Sequence, residues 1–222
     1  SNTAYGTSTT VHIRSDNIHG LFRFDLSDLK GVVDSVTNAT LTLRDVSTDV
    51  GTNDVAMYRV LKPWVENEVT FNSYANGSPW ETPGAAGATD RGPLLSTVAM
   101  PVMGSGAGFV YHITIPASLV QDWIDNPADN HGILLVGSNM RTVNLDSTEV
   151  AVVTNRPLLT LEATQKETVT YTFREGVDGY TGTDDTYIWG IESKTNIAHG
   201  TGTILYMRGS DNIHGLFRFD LS

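Results

Sequence analysis

The chain has 222 residues, with 14 Lys and Arg against 25 Asp and Glu, a formal net charge of −11 and no cysteine. That charge repels nucleic acid and anionic membrane over long range, and no Lys/Arg cluster offsets it. Disulfides and thiolate metal sites are excluded, and no apolar run reaches the roughly 18 residues of a membrane span.

Short apolar/polar alternations broken by Gly, Asn, Asp and Ser predict an all-β chain. TVHIR places His12 in a first strand, and GLFRFDL (20–26) turns Phe22, Phe24 and Leu26 inward. TNATLTLR (37–44) puts Ala39, Leu41 and Leu43 on one face and Asn38, Thr40, Thr42 and Arg44 on the other. VAMYRVL (55–61), EVTFN (68–72) and FVYHITI (109–115) continue the strand pattern. GSGAG (104–108) reads as a flexible loop and lacks the setting of a dinucleotide fingerprint. PASLVQDWIDN (116–126) is the one helix, opening on Pro116, spacing Leu119, Val120 and Trp123 on one face, and stopping before Pro127. GILLVG (132–137), EVAVVT (149–154), PLLTLEA (157–163), TVTYTF (168–173) and DTYIWG (185–190) complete the strands. Many short strands with one short helix predict a jelly-roll-like, two-sheet antiparallel β-sandwich.

The chain also repeats itself. SDNIHGLFRFDLS at 15–27 recurs letter for letter at 210–222. NTAYGTSTTVHIR (2–14) aligns with NIAHGTGTILYMR (196–208), and Gly209 is inserted before the identity resumes. The spacing is 195 residues (210 − 15), which suits one domain with a sizeable core. A slice of a tandem array is the expectation.

Chemistry-bearing residues are sparse. HExxH, GxSxG and P-loop patterns are missing, and the six histidines are scattered. Glu66 and Glu68 share a face if their stretch is extended, which suits either a glycosidase carboxylate pair or a solvated strand edge. DGYTGTDD (178–185) collects Asp178, Asp184 and Asp185 with several carbonyls. Such an oxygen-rich loop fits a structural calcium ion or, alternatively, a Gly-rich β-turn capping a strand.

Sugar binding needs an aromatic platform beside hydrogen-bonding groups. Trp64, Trp80, Tyr74, Tyr180 and Trp189 are the candidates, Trp123 being assigned to the core by its helical spacing. Trp80, in the Gly/Pro-rich NGSPWETPG, reads as the best exposed, either a loop anchor or a ligand contact. Arg23 and Arg59 alternate outward, either to grip uronic carboxylates or to pair with Asp25 or another acidic neighbour. Asn38-Ala-Thr40 and Asn76-Gly-Ser78 are glycosylation sequons.

Joined end to start, the motifs run FREGVDGYTGTDDTYIWG, TNIAHGTGTILYMR, GLFRFDLSDLKG, ATLTLRD, WVENEVTFN, LVQDWIDNPADNHGILLVG and STEVAVVTNRPLLTLEA. This series resembles the disaggregatase-related repeats of methanogenic archaeal surface proteins. Those are similar to DNRLRE modules, relatives of alginate-associated carbohydrate-binding modules. The resemblance implies a non-catalytic β-sandwich, set in tandem on secreted or cell-surface proteins, many of them polysaccharide-active. It implies polysaccharide and neighbouring repeats as partners, while the charge and the lack of a long apolar run give the expectation of no nucleic acid and no membrane insertion. A structural spacer or adhesion module with no sugar ligand is the rival expectation. Residues 1–165 are then a module lacking its first strands, and residues 166–222 the beginning of the next. The tail is expected to complete the sandwich by circular permutation or by strand-swapped self-association.

Overall fold

The structure is a computed structural model and describes residues 2–15, 17–103, 108–167, 170–190 and 192–221. The chain forms two units, Ser1–Lys166 and Glu167–Ser222.

In the first unit the strands are β1 (Thr10–Ile13), β2 (Gly20–Phe22), β3 (Val33–Arg44), β4 (Val50–Val60), β5 (Ser73–Ala75), β6 (Ser78–Pro79), β7 (Arg91–Met103), β8 (Val110–Thr114), β9 (Ile133–Gly137), β10 (Val143–Asp146) and β11 (Leu158–Gln165), with one helix, α1 (Ala117–Asp125). All pairings are antiparallel. One sheet has the order β2-β9-β4-β7 and another β11-β3-β8, while β1 pairs with β10 and β5 with β6. The all-β sandwich with one short helix is therefore what the sequence predicts.

The core lies between the two larger sheets. Alternation sends Phe22, Val55, Met57, Ile133 and Leu135 from one sheet against Ala39, Leu41, Leu43, Tyr111 and Ile113 from the other. Ile13, Val143 and Leu145 from β1 and β10 join them. α1 lays Leu119, Val120, Trp123 and Ile124 on the same core. Pro116 is the residue before the helix, and the Asn126 N–H closes it on the Asp122 carbonyl.

The sheet containing β9 is apolar on its outer face as well. Leu134 and Val60 form a second core there with Trp64, Trp80 and Ala85, and Leu21, Tyr58, Val69, Tyr74 and Val136 pack around it. The long connection between β4 and β7 folds back over this face. Asp90 holds the returning end. It is fully buried, and its carboxylate accepts the Glu81, Thr82 and Gly87 N–H groups at 2.9, 3.0 and 3.0 Å. These three hydrogen bonds come from loop backbone outside the strand ladders, so the clamp satisfies both sides.

Several expectations need correction. EVTFN (68–72) is not a strand: the Glu68 and Val69 N–H groups both close on the Val65 carbonyl at 3.0 and 2.8 Å, making a turn. Glu66 and Glu68 therefore share no strand face. EVAVVT (149–154) ends in a short 3-10 turn, Val153–Asn155, with Val152 and Val153 exposed. GLFRFDL keeps only its first three residues as β2. Gly104–Ala107 of GSGAG, and Thr168 and Val169 of TVTYTF, lie outside the described residues, and the remaining Thr170–Phe173 form no strand.

The second unit holds β12 (Thr183–Trp189) and β13 (Ile213–Phe219), paired antiparallel from Thr183↔Phe219 to Trp189↔Ile213. Arg208 bridges Ile213 at the start of β13. Asn212 takes the left-handed conformation (φ 50°) that the turn into β13 requires. Tyr187 stacks on His199 with ring centroids 4.1 Å apart. Among the described residues of this unit, Tyr187 and Ile213 are the buried apolar side chains.

Candidate functional site

A polar groove of about 610 Å³ opens beside the β5–β6 hairpin. Asn2 and Ala4 line it from the N-terminal segment, Asn67, Glu68, Thr70 and Asn72 from the turn after Trp64, and Ser73, Asn76 and Ser78 from the hairpin. The segments are bound to one another. Asn72 Nδ2 donates to Asn2 Oδ1 at 2.8 Å, and the Asn76 N–H donates to Glu68 Oε2 at 3.0 Å. Thr70 Oγ1 accepts the Asn72 and Ser73 N–H groups at 3.2 and 3.1 Å. Gly6 passes so close to Glu66 and Asn67 that a Cβ there would sit 2.5 Å from the Glu66 carbonyl oxygen. Ala4, Gly77 and Pro79 complete the lining, and its polar side chains are amides, hydroxyls and one carboxylate, the set that matches sugar hydroxyls. Tyr5, next to Ala4, is largely exposed.

Trp80 stands under this groove and not at its rim. It is 5% exposed, and its Nε1 donates to the Thr70 carbonyl at 3.0 Å. The exposed aromatic expected at this position is a buried anchor, because the apolar outer face of β9 draws the loop inward. Tyr74 alternates with Ser73 along β5: Ser73 lines the groove, while Tyr74 packs on Trp80 at 5.5 Å with Lys62 Nζ 6.0 Å from its ring.

Arg23 and Arg59 lie elsewhere on the unit, each already engaged. Arg23 stacks over Trp64 at 4.9 Å and donates to its carbonyl at 3.3 Å. Trp64 Nε1 in turn donates to the His131 carbonyl at 2.8 Å. Burial first, and Arg23 second, hold the His131 imidazole below its usual range. Arg59 is ion-paired with Asp122 at 2.6 Å, beside an open groove of about 530 Å³ whose walls include Leu61, Pro93, Leu95 and Leu119. Arg23 stacks on an aromatic ring and also adds, after Ser27, to the lowering of the Asp25 carboxyl. The Asp25 carboxyl is kept below its usual range chiefly by hydrogen bonds from Ser27.

In the second unit the acidic residues do not converge. Asp178 occupies a left-handed turn (φ 52°). Asp184 and Asp185 are neighbours on β12, so their side chains leave opposite faces. Asp184 accepts Arg218 Nε at 3.0 Å. Among the described residues no group of three or more His, Asp or Glu side chains is placed to hold a metal ion. Tyr180 packs on Phe173 at 5.2 Å, and Trp189 lies 6.5 Å from Tyr187.

No sequence motif marks Asn2, Asn67, Thr70 or Asn72 as a site, and Asn76 stands out only as a glycosylation sequon. The density of Asn, Thr and Ser between 67 and 78 was the available signal.

Residues 1–82 match the profile of carbohydrate-binding module family 96. A search of curated proteins gives no match. The profile match supports a carbohydrate-binding module, and the matched stretch includes every residue that lines the polar groove. No helix among the described residues is long and apolar enough to cross a membrane.

Proposed function

We propose that this chain is a non-catalytic extracellular module that binds polysaccharide in the groove beside the β5–β6 hairpin. The coincidence of the matched stretch with that amide-lined groove carries the reading. Planar amides of Asn67, Asn72 and Asn76 pair with sugar hydroxyls, and the hydrogen bonds among the three segments preorganise them. In the finer reading, the module is one of a tandem array on a cell surface, accessory to a polysaccharide-active protein.

The charge selects among sugars. With a net charge of −11 and Glu68 in the groove, a neutral polymer meets less repulsion than a uronic one. At physiological salt the Debye length is about 8 Å, so the local carboxylate weighs more than the distant ones.

Affinity electrophoresis against neutral and uronic polysaccharides, in calcium and in EDTA, tests the proposal. Retardation by a neutral polymer, lost in the double variant Asn67→Ala/Asn76→Ala at unchanged melting temperature, is the expected result. Retardation that survives this variant moves the site away from the groove. Free migration in every gel leaves the spacer reading.

A further inference from the structure

The thirteen residues that occur twice are seen in two different pairings, and backbone parity shows that the pairings use opposite edges of one strand. In the first unit Gly20↔Leu135 and Phe22↔Ile133 join β2 to β9. On β9 the flanking positions Gly132 and Ser138 bond to β4, through Val60 N–H to Gly132 O at 3.0 Å and Ser138 N–H to Asp54 O at 2.9 Å. Backbone groups alternate along a strand, so Leu134 and Val136 aim at β4 while Ile133 and Leu135 aim at β2. Gly20 and Phe22 therefore direct their N–H and C=O groups to β9.

Their copies in the second unit are Gly215 and Phe217. There the bonds between strands fall on the other parity. Gly190 N–H donates to Asn212 O at 3.0 Å, and Asp220 N–H to Gly182 O at 2.8 Å. His214, Leu216 and Arg218 thus aim at β12, and Gly215, Phe217 and Phe219 aim away from it. Arg208 and Ile213 bond on this far edge, at 3.0 and 3.1 Å, which confirms its direction. Within the second unit no strand among the described residues pairs with the rest of that edge. The side chains it carries are also uncovered: Leu216, Phe217 and Phe219 are each half exposed.

We propose that the edge of β13 from Gly215 to Phe219 is a docking edge for an antiparallel strand with the sequence of β9 and its flanks, residues 131–139, in a form not already paired. The occupant is fixed by identity, since the same residues already hold such a strand in the first unit. Leu135 would face Gly215, Leu134 would face Leu216, and Ile133 would face Phe217. The segment then becomes a central strand with β12 on one side and a β9 counterpart on the other. In a second copy of this chain β9 already holds β2, so that copy is the poorer occupant.

The test uses the whole chain and a peptide with the sequence of residues 131–139. The chain has no cysteine of its own, so single thiols report without background. Leu216→Cys is mixed with the peptide carrying Leu134→Cys in a glutathione buffer. This pair is not hydrogen-bonded, so its Cα atoms approach to about 4.5 Å, within disulfide reach. A mixed disulfide is expected with this peptide. Moving the peptide thiol to position 133 turns it to the other face and should cut the yield about tenfold. The cysteine-free peptide should slow hydrogen exchange at Gly215 and Phe217, leaving Leu216 as it was. Equal yields from the 134, 133 and scrambled peptides would overturn the proposal. So would protection of Gly215 and Phe217 that depends on protein concentration without peptide, because the occupant would then be a second copy.

Discussion

Phe22 is 7% exposed and Phe217, in the same thirteen-residue sequence, is 56% exposed; Leu26 and Leu221 stand at 8% and 69%. Some local features recur in both places, although β2 spans three residues and β13 seven. Arg14 N–H closes on Ile18 O at 3.0 Å, and Arg208 N–H on Ile213 O at 3.1 Å. A Cβ on Gly20 would meet Ile13 at 3.1 Å, and one on Gly215 would meet its counterpart Met207 at 3.2 Å. The closing hydrogen bond and the close approach at the glycine are thus local properties of these residues, whereas the extent of the strand is not. Burial is a property of the partner strands, and β9, β4 and the opposing sheet supply it in the first unit alone.

The largest expected contrast follows from that. Phe22→Ala should cost about 3–5 kcal/mol through lost burial and a cavity, whereas Phe217→Ala should stay within about 1 kcal/mol. Urea denaturation of the two variants measures it. Equal costs would break the comparison and mean that β13 is packed as β2 is.

Polar anchoring should differ in the same direction. Asp90→Ala orphans three loop N–H groups beneath the first unit's surface, a loss of about 2–3 kcal/mol. Arg218→Ala removes the exposed ion pair with Asp184 in the second unit and should shift stability by less than about 0.5 kcal/mol. The same denaturation series separates them.

Two pH effects, both confined to the first unit, should be smaller. Burial, and then Asp45, pushes the Tyr111 hydroxyl well above its usual range, where it donates to the Pro101 carbonyl at 2.8 Å. The unfolded chain loses this proton first, so stability should fall as pH rises past about 10. Tyr111→Phe should flatten that limb. His131 is shifted the other way, so the unfolded chain takes up its proton first. Stability should then decline as pH drops below about 6.5, and His131→Gln should remove this part of the acid slope. Melting temperature against pH, followed on the near-ultraviolet signal of the first unit's tryptophans, checks both.

Alternation makes β3, β8 and β11 legible, an apolar run does so for β9, and helical spacing between prolines does so for α1. The longest strand, β7, has no such signal and carries Pro93 and Pro101, which lack the N–H a ladder needs. They are tolerated because β7 is the edge of its sheet, where a missing N–H faces no partner strand. β10 is short and half polar, so its period is weak. The misplacement of Trp80 has a different origin. Its Gly/Pro-rich setting suggested an exposed loop, while the near-continuous apolar run of GILLVG already signalled a strand covered on both faces. Something had to cover the outer face, and the segment carrying Trp64 and Trp80 does. The groove was hidden for a related reason: its amides come from three segments that only this covering loop brings together.

The pairing of β2 with β9 also bears on how such a chain is made. Gly20 leaves the ribosome long before Leu135, and Thr10 long before its partner Asp146. Until then the first strands wait unpaired, and sheets closed by such distant partners assemble slowly. In a chain that carries the same strand again at 213–219, β9 emerges with one claimant already waiting and a second synthesised later. Order of synthesis, and not affinity, then decides which of two identical segments is seated, and refolding from denaturant, where both arrive together, is the condition under which mispaired products accumulate.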